Sequence, residues 1–370
     1  MDEGGGSLMP SGPQAAPFEV HFGGPDLPAR TLRDMLQARI ESTPAGSEIT
    51  WVTYYFRDRG LARALVDARR RGVRVSVIIE SRPRRRSANS AVIRLLREGL
   101  GESFRLHRAR LVNARLHAKI YAFSGPEPEC LIGSFNPSGD TPEDADVVAE
   151  IGDQDRGHNL LVSFRHPADA AALHEHARRI WSSRGLSRFS PRQNRMLRLR
   201  TADVYFYPRL RIGIVEREFA RLRAGDRVRA AVSHLHKGMF TRGLIEAVGR
   251  GVHVELVVHD TMRRVPKKVV ADLSAGGVAI QRYCHPEELP MHGKFVLVER
   301  DGHRSAWMGS LNYNFNSQVL NQEILVNTAE PGLVAALENR YQLIARQAAE
   351  LADAARAGRS QPPPPGSATR

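Results

Sequence analysis

Apolar residues recur at helical spacing through Leu61, Leu65, Val66 and Ala68, stop at Gly72, and give way to a second, almost wholly apolar run, VRVSVIIE. The first pattern predicts a helix closed by a glycine, the second a buried strand. The same order returns downstream, where Leu244, Ile245, Val248 and Gly251 precede VHVELVVH. The turns match, Arg71-Gly72-Val73 against Arg250-Gly251-Val252, and so do the strand entries, Ala45-Gly46-Ser47-Glu48-Ile49 against Ala224-Gly225-Asp226-Arg227-Val228. A repeat of this length implies two copies of one structural unit.

Each copy continues with a strand-like segment, LHAKIYAF at 116–123 and MHGKFVLV at 291–298. In a strand, side chains alternate, so Leu116, Ala118, Ile120 and Ala122 share one face and His117 and Lys119 the other; Met291, Gly293, Phe295 and Leu297 likewise oppose His292 and Lys294. A further strand is expected at 159–164 and at 321–327, each followed by an amphipathic helix. In the second copy its stripe, Val334, Leu337, Tyr341, Ile344 and Leu351, is expected to pack on its own lobe. The fold class is therefore α/β, with two similar lobes, each a mixed, mostly parallel sheet flanked by helices, related by a pseudo-twofold axis within a monomer. The lobes are placed at 18–186 and 203–357, joined by a basic linker at 187–202. Residues 1–17 and 358–370, rich in Gly, Pro and Ser or in Pro, are expected to be flexible.

With 42% hydrophobic and 25% charged residues among 370, the chain is expected to bury a core, not to be disordered. A formal net charge of +14 favours an anionic partner: a phosphorylated substrate, an acidic membrane surface or nucleic acid. The two cysteines, Cys130 and Cys284, are too few for a disulfide framework and are read as buried thiols of a reducing compartment. With no secretory signal pattern and no run long enough to span a bilayer, the expectation is a cytoplasmic protein that can sit peripherally at a membrane.

An isolated H-x-K is weak, but here the pair occurs twice, followed by Gly133-Ser134-Phe135-Asn136 and by Gly309-Ser310-Leu311-Asn312. This arrangement resembles the phospholipase D superfamily, whose signature is two copies of H-x-K-x4-D, each followed by G-S-x-N. The segment GSLNYNFNSQVLNQE is similar to the longer pattern of cardiolipin synthases and related phosphatidyltransferases, with Asn314 in place of its Asp and Asn316 in place of its Arg. The signature Asp falls on Ser124 and Glu299. The carboxylate of the later N-x-E element is Glu323, beside Asn321; the first-half match is read as Asn159 and Leu161, with Asp146, Glu150 or Asp153 as possible stand-ins for the missing acid.

The resemblance implies a site built from His117, Lys119, Ser134, Asn136, His292, Lys294, Ser310, Asn312 and Glu323, with no cofactor and no metal. One histidine attacks phosphorus and the other protonates the leaving oxygen, while the lysines, asparagines and serines hold the phosphoryl oxygens. A carboxylate raises the pKa of the imidazole it touches. Glu323 is expected beside His292, making it the proton donor and His117 the nucleophile. His234 and His236 lack a third metal ligand and are read as ordinary loop or rim histidines, and His285, beside Cys284, calls for no metal. Basic loops, Arg82, Arg84, Arg85 and Arg86 in the first half and Arg263, Arg264, Lys267 and Lys268 in the second, follow equivalent strands and are expected to flank the site. The leading function is a phosphodiesterase or phosphatidyltransferase acting on phospholipid through a phosphohistidine. The alternatives are a nuclease of the same superfamily and a catalytically inactive binding or scaffold module.

Overall fold

The computed structural model describes residues 18–108, 114–139, 145–184 and 190–359. Strands β1 (Phe18–Gly23), β2 (Glu48–Thr53), β3 (Arg74–Glu80), β4 (Phe104–His107), β5 (Ile120–Phe123), β6 (Glu129–Gly133) and β7 (Asn159–Phe164) form one sheet in the order β1-β7-β6-β5-β2-β3-β4. A second sheet holds β8 (Leu197–Arg198), β9 (Asp203–Tyr207), β10 (Arg227–Val232), β11 (His253–His259), β12 (Ala279–Tyr283), β13 (Lys294–Arg300), β14 (His303–Gly309) and β15 (Glu323–Thr328). Its order is β12-β11-β10-β13-β14-β15-β9-β8. Apart from β8, which arises within the basic segment between the repeats, the two orders correspond strand for strand.

Both sheets are mixed, but they are not mostly parallel. Among the described residues β2, β3 and β4 run parallel, as do β10, β11 and β12, and the other pairings are antiparallel. The reason lies in the connections. The first part of each repeat inserts a helix between strands, which permits parallel crossovers, whereas β5–β6 and β13–β14 are hairpins that force reversal.

Helix α2 (Arg59–Arg70) shows how the repeat pattern becomes structure. Asp58 caps its start by accepting from the Leu61 amide at 2.7 Å, and Gly72, at φ 93°, takes the left-handed conformation just past its end. Its partner α7 (Met239–Gly249) is followed by Gly251 at φ 87°. Together with α1 (Thr31–Ser42) and α3 (Ser90–Leu100), α2 covers the outer face of the first sheet through Leu36, Ile40, Leu61, Leu65 and Leu96. On the second sheet the same role falls to α6 (Ile214–Phe219), α7 and α8 (Lys267–Ala275).

The inner faces share one apolar core. Leu116, Ala118 and Ile120 of the first lobe belong to the same buried cluster as Met291, Phe295 and Met308 of the second. Helices α5 (Pro167–Ser182) and α10 (Pro331–Arg359) add Leu173 and Ala177, and Leu337, Tyr341 and Ile344. The α10 stripe therefore packs on its own lobe, as its spacing implies, and also against β1 of the other. There Arg340 donates to Asp26 at 2.7 Å, to the Gly23 carbonyl at 2.8 Å and to His158 Nδ1 at 2.9 Å. The lobes are held by a shared core and a partly buried ion pair. Cys130 is buried as expected, but Cys284 is exposed, because it lies just beyond the end of edge strand β12. No helix among the described residues is long and apolar enough to cross a membrane.

Candidate active site

The two H-x-K segments meet where the lobes join, and the backbone sets how they meet. Neither histidine lies within a strand: β5 begins at Ile120 and β13 at Lys294. Instead, Leu116 forms a parallel bridge to Gln322, and Met291 one to His158. His117 and Ala118 donate their amides to the Gln322 carbonyl at 2.9 and 2.8 Å. In the mirror arrangement His158 donates to the Pro290 carbonyl at 2.9 Å and His292 to the His158 carbonyl at 3.0 Å. Each histidine segment is thus stitched to the residue that precedes the last repeat strand of the opposite lobe.

This stitching decides which side chains pair. His117 Nδ1 lies 2.8 Å from Glu323 Oε2, and His292 Nδ1 lies 2.9 Å from Asn159 Oδ1. The expected pairing of Glu323 with His292 is therefore overturned, as is the match of Leu161 to Glu323. Strand register gives the reason: Gly133 pairs with Leu161 and Gly309 with Leu325, so Asn159 and Glu323 occupy equivalent positions. Of the other acids considered for the first half, Asp153 accepts from the amides of Asp155 and Arg156 and closes a local turn. Asp146 and Glu150 fall in α4 (Ala145–Ile151), and their side chains lie outside the described residues.

The G-S-x-N segments support these partners from behind. Ser134 donates to Asn159 Oδ1 at 3.0 Å and accepts from the Leu160 amide; Ser310 donates to Glu323 Oε2 at 2.5 Å and accepts from the Ile324 amide. Both hydroxyls are fully committed to the neighbouring strand, which places them behind the histidine partners. The preceding glycines are required by the same close approach: a Cβ at Gly133 or Gly309 would collide with the carbonyl of Leu160 or Ile324. Asn159 Nδ2 donates to the Gln154 carbonyl at 2.7 Å, which fixes its oxygen toward His292.

His117, His292, Asn136 and Asn312 line one cleft of about 480 Å³ between the lobes, with Tyr54, Arg84, Arg115, His234, His236, Arg263, Arg264 and Phe315 around them. Among the described residues the lining contains no Asp or Glu. Lys119 and Lys294 are buried beneath it, their ammonium groups donating to the His117 and His292 carbonyls at 2.6 and 2.7 Å. His234 and His236 thus face the cleft, and among the described residues no third ligand joins them in a metal-binding group. The residues at the signature Asp positions do not belong to the site. Ser124 accepts from the Glu48 amide at 2.8 Å at the far end of β5, and Glu299 lies five residues beyond Lys294, about 16 Å along β13. Asn314 caps α9 (Phe315–Val319) by accepting from the Ser317 amide at 3.0 Å, a task an Asp would perform equally well.

Burial dominates the electrostatics. It pushes His117 down to about 4 against the pull of Glu323, and Lys119 down to about 7 against the same carboxylate. His292 and Lys294 are driven well below their ordinary values, first by burial and then by the neighbouring cations, which include Lys119 and Arg264. Burial opposes ionisation of Glu323, but His117, Lys119 and Ser310 outweigh it and hold the carboxyl below its usual range. A carboxylate only accepts, so His117 Nδ1 carries the proton and Nε2 keeps a lone pair on the ring edge away from Glu323.

Two repeats, each giving a histidine, a lysine and a G-S-x-N turn to a shared cleft, define a two-lobed phospholipase D-like protein. A family model described as cardiolipin synthase, PLD-like domain matches residues 36–166 and 222–344, one span in each lobe and more than half the chain together. The chain belongs to this family. Among solved structures, phosphatidylserine synthase from Haemophilus influenzae Rd KW20 resembles it with a TM-score of 0.65 over 89% of this chain and 86% of that one, at 13% identity. Polyphosphate kinase from Porphyromonas gingivalis gives a TM-score of 0.57 at 14% identity; 88% of this chain is covered, spanning 50% of the kinase. At these identities the likeness is one of fold. No curated protein matches the chain by sequence.

The cleft residues Tyr54, Arg115 and Gln154 escaped the sequence reading, as did Asn159, behind the cleft, in its role as a histidine partner. Tyr54 and Arg115 carry no motif signal. Asn159 does: aligning the apolar runs LLVSF and ILVNT, instead of the two asparagines, puts it opposite Glu323.

Proposed function

We propose that the protein transfers or hydrolyses a phosphodiester, that its substrate is a phospholipid, and that the reaction passes through a phosphohistidine at His117. The observation that carries this is the pair of crossed contacts, His117 to Glu323 and His292 to Asn159, over one cationic cleft. In the first step His117 Nε2 attacks phosphorus, the bond to the leaving oxygen breaks, and that oxygen takes a proton from His292 Nε2. The phosphohistidine so formed retains its Nδ1 proton and is cationic, which the Glu323 carboxylate stabilises. In the second step His292 takes the proton of a water or alcohol, whose oxygen attacks phosphorus and displaces His117.

The assignment of His117 as nucleophile thus stands on a different premise from the one its sequence suggests. Its carboxylate serves the covalent intermediate, while His292, hydrogen-bonded to a neutral amide, releases its proton more readily. Substrate arrival draws the missing proton from solvent: an anion beside Lys119, Lys294 and His292 favours their charged forms.

Lipid is favoured by the description of the matching family and by Phe315, which lines the cleft rim and is 70% exposed, an apolar contact for an acyl region or headgroup zone. A second reading, nuclease, is favoured by the four arginines of the cleft lining. The purified protein, incubated with vesicles carrying headgroup-labelled phosphatidylglycerol and in parallel with labelled DNA and RNA, separates the two. Headgroup release, with an added alcohol competing against water, is the expected result. Cleavage of nucleic acid without headgroup release would overturn the lipid reading, and inactivity on both would leave a binding module.

A further inference from the structure

One cleft side chain has no task in the two-histidine chemistry. Arg264, in the loop between β11 and α8, is 4% exposed and crosses the lobe boundary to donate from Nη2 to the Ile151 carbonyl at 2.8 Å. Its Nε and Nη1 are buried without a hydrogen-bond partner among the described residues. Buried donors are nearly always paired, and burying a guanidinium with two idle nitrogens is costly. Arg84 of the first lobe and Arg263 of the second line the same cleft, and after burial their charges act on Arg264, with Asp260 as the opposing carboxylate. Asp260 Oδ1 lies 3.1 Å from His259 Nε2, and it makes no hydrogen bond to Arg264 among the described residues.

A diester phosphate carries a single negative charge. Asn136 and Asn312 line the cleft beside the histidines and Lys119 and Lys294 lie buried beneath it, so three further guanidiniums exceed what one such group calls for. A guanidinium fork matches two phosphate oxygens at once, which a lysine does not.

We propose that Arg264, supported by Arg84 and Arg263, forms a second anion subsite beside the one that holds the phosphate under attack. The preferred substrate or acceptor then carries a further phosphoryl group within a few bonds of the first. This rests on the reading that the attacked phosphate lies between His117 and His292.

Calorimetric binding of orthophosphate, pyrophosphate and propane-1,3-bisphosphate at constant ionic strength tests the subsite without any turnover. The wild-type protein is expected to bind at least one of the two-phosphate probes about tenfold or more tighter than orthophosphate, and the better probe sets the spacing. Arg264→Gln should reduce that preference to about threefold or less while leaving orthophosphate binding within about twofold. Arg84→Gln, an exposed position whose loss leaves the core intact, should reduce it part of the way, and decides the matter with the wild type if Arg264→Gln does not fold. Equal binding of all three probes by the wild type would overturn the proposal. So would a folded Arg264→Gln variant that keeps the full preference, or one that loses orthophosphate binding in equal measure, which would put Arg264 in the first subsite. Failure of the lipid reading is seen separately, as absent headgroup release with the binding preference intact.

Discussion

Glu323 of the second lobe accepts a hydrogen bond at 2.8 Å from His117 of the first, and its other carboxylate oxygen receives Asn321 Nδ2 at 3.3 Å. Glu323→Gln would keep an acceptor near the ring but remove the charge that stabilises a cationic phosphohistidine. Turnover is expected to fall about 100-fold with the fold retained, as far-UV circular dichroism alongside initial rates would show. A variant within twofold of wild type would separate the carboxylate from the chemistry.

The amide on the other side invites the reverse change. Asn159→Asp would place a carboxylate against His292 and raise its pKa. If His292 is the proton donor, the limb of the pH–rate profile on which it loses its proton should move to higher pH, by about one unit. A profile that stays in place would argue that His292 does not titrate in the rate-limiting step.

The roles of the histidines can be told apart by trapping. With a substrate whose leaving group needs no proton, His292→Ala should accumulate base-stable, acid-labile label on His117, because the step that releases it lacks a base. His117→Ala should show no label and lose activity by at least about 1,000-fold. Label recovered on His292 in the His117 variant would reverse the assignment.

Anion binding should carry protons with it. Lys119, held near 7 by burial, is mostly neutral at pH 8, and an anion beside it favours the ammonium form. Sulfate does not titrate in this range, so its binding at pH 8 should be accompanied by proton uptake, seen as a dependence of the calorimetric enthalpy on the ionisation enthalpy of the buffer. The uptake should diminish toward pH 6, where Lys119 is already charged. Buffer-independent enthalpies at pH 8 would mean the lysine does not respond to the anion.

Arg340 gives a prediction about stability. It is buried against Asp26, the Gly23 carbonyl and His158, and removing it leaves these acceptors unpaired. Arg340→Ala is expected to cost about 2–3 kcal/mol in denaturant unfolding, less than a fully buried ion pair because Asp26 is partly exposed. Because the His158 carbonyl supports the His292 amide, activity should fall as well. An unchanged midpoint would show that the lobes are held by the apolar core alone.

Much of this architecture is written in local pattern. Gly72 and Gly251 end their helices because each lies where the backbone turns left-handed, and the apolar runs after them become β3 and β11. Duplication made His117, Lys119, His292 and Lys294 legible as a set. What pattern could not convey was contact between lobes. Asn159 and Glu323 lie 25 and 13 residues after Ser134 and Ser310, so the unequal loops hid their equivalence, and their crossed partners are set by bridges at Gln322 and His158. Arg264 read as one of several basic loop residues flanking the site, and its burial was not legible because it depends on Ile151 from the opposite lobe.

Equivalent positions in the two repeats now hold an acid in one case and an amide in the other. Two identical chains meeting about a true twofold axis would have to present the same residue to both histidines, and a bound phosphodiester would face two indistinguishable ends. Fusing the copies into one chain lifts that requirement. The Glu323 and Asn159 pair gives the cleft a built-in direction; under the proposed reaction, a diester with unlike arms would lie with its departing alcohol toward one histidine and its retained arm toward the other, and its reversed placement would be chemically unequal.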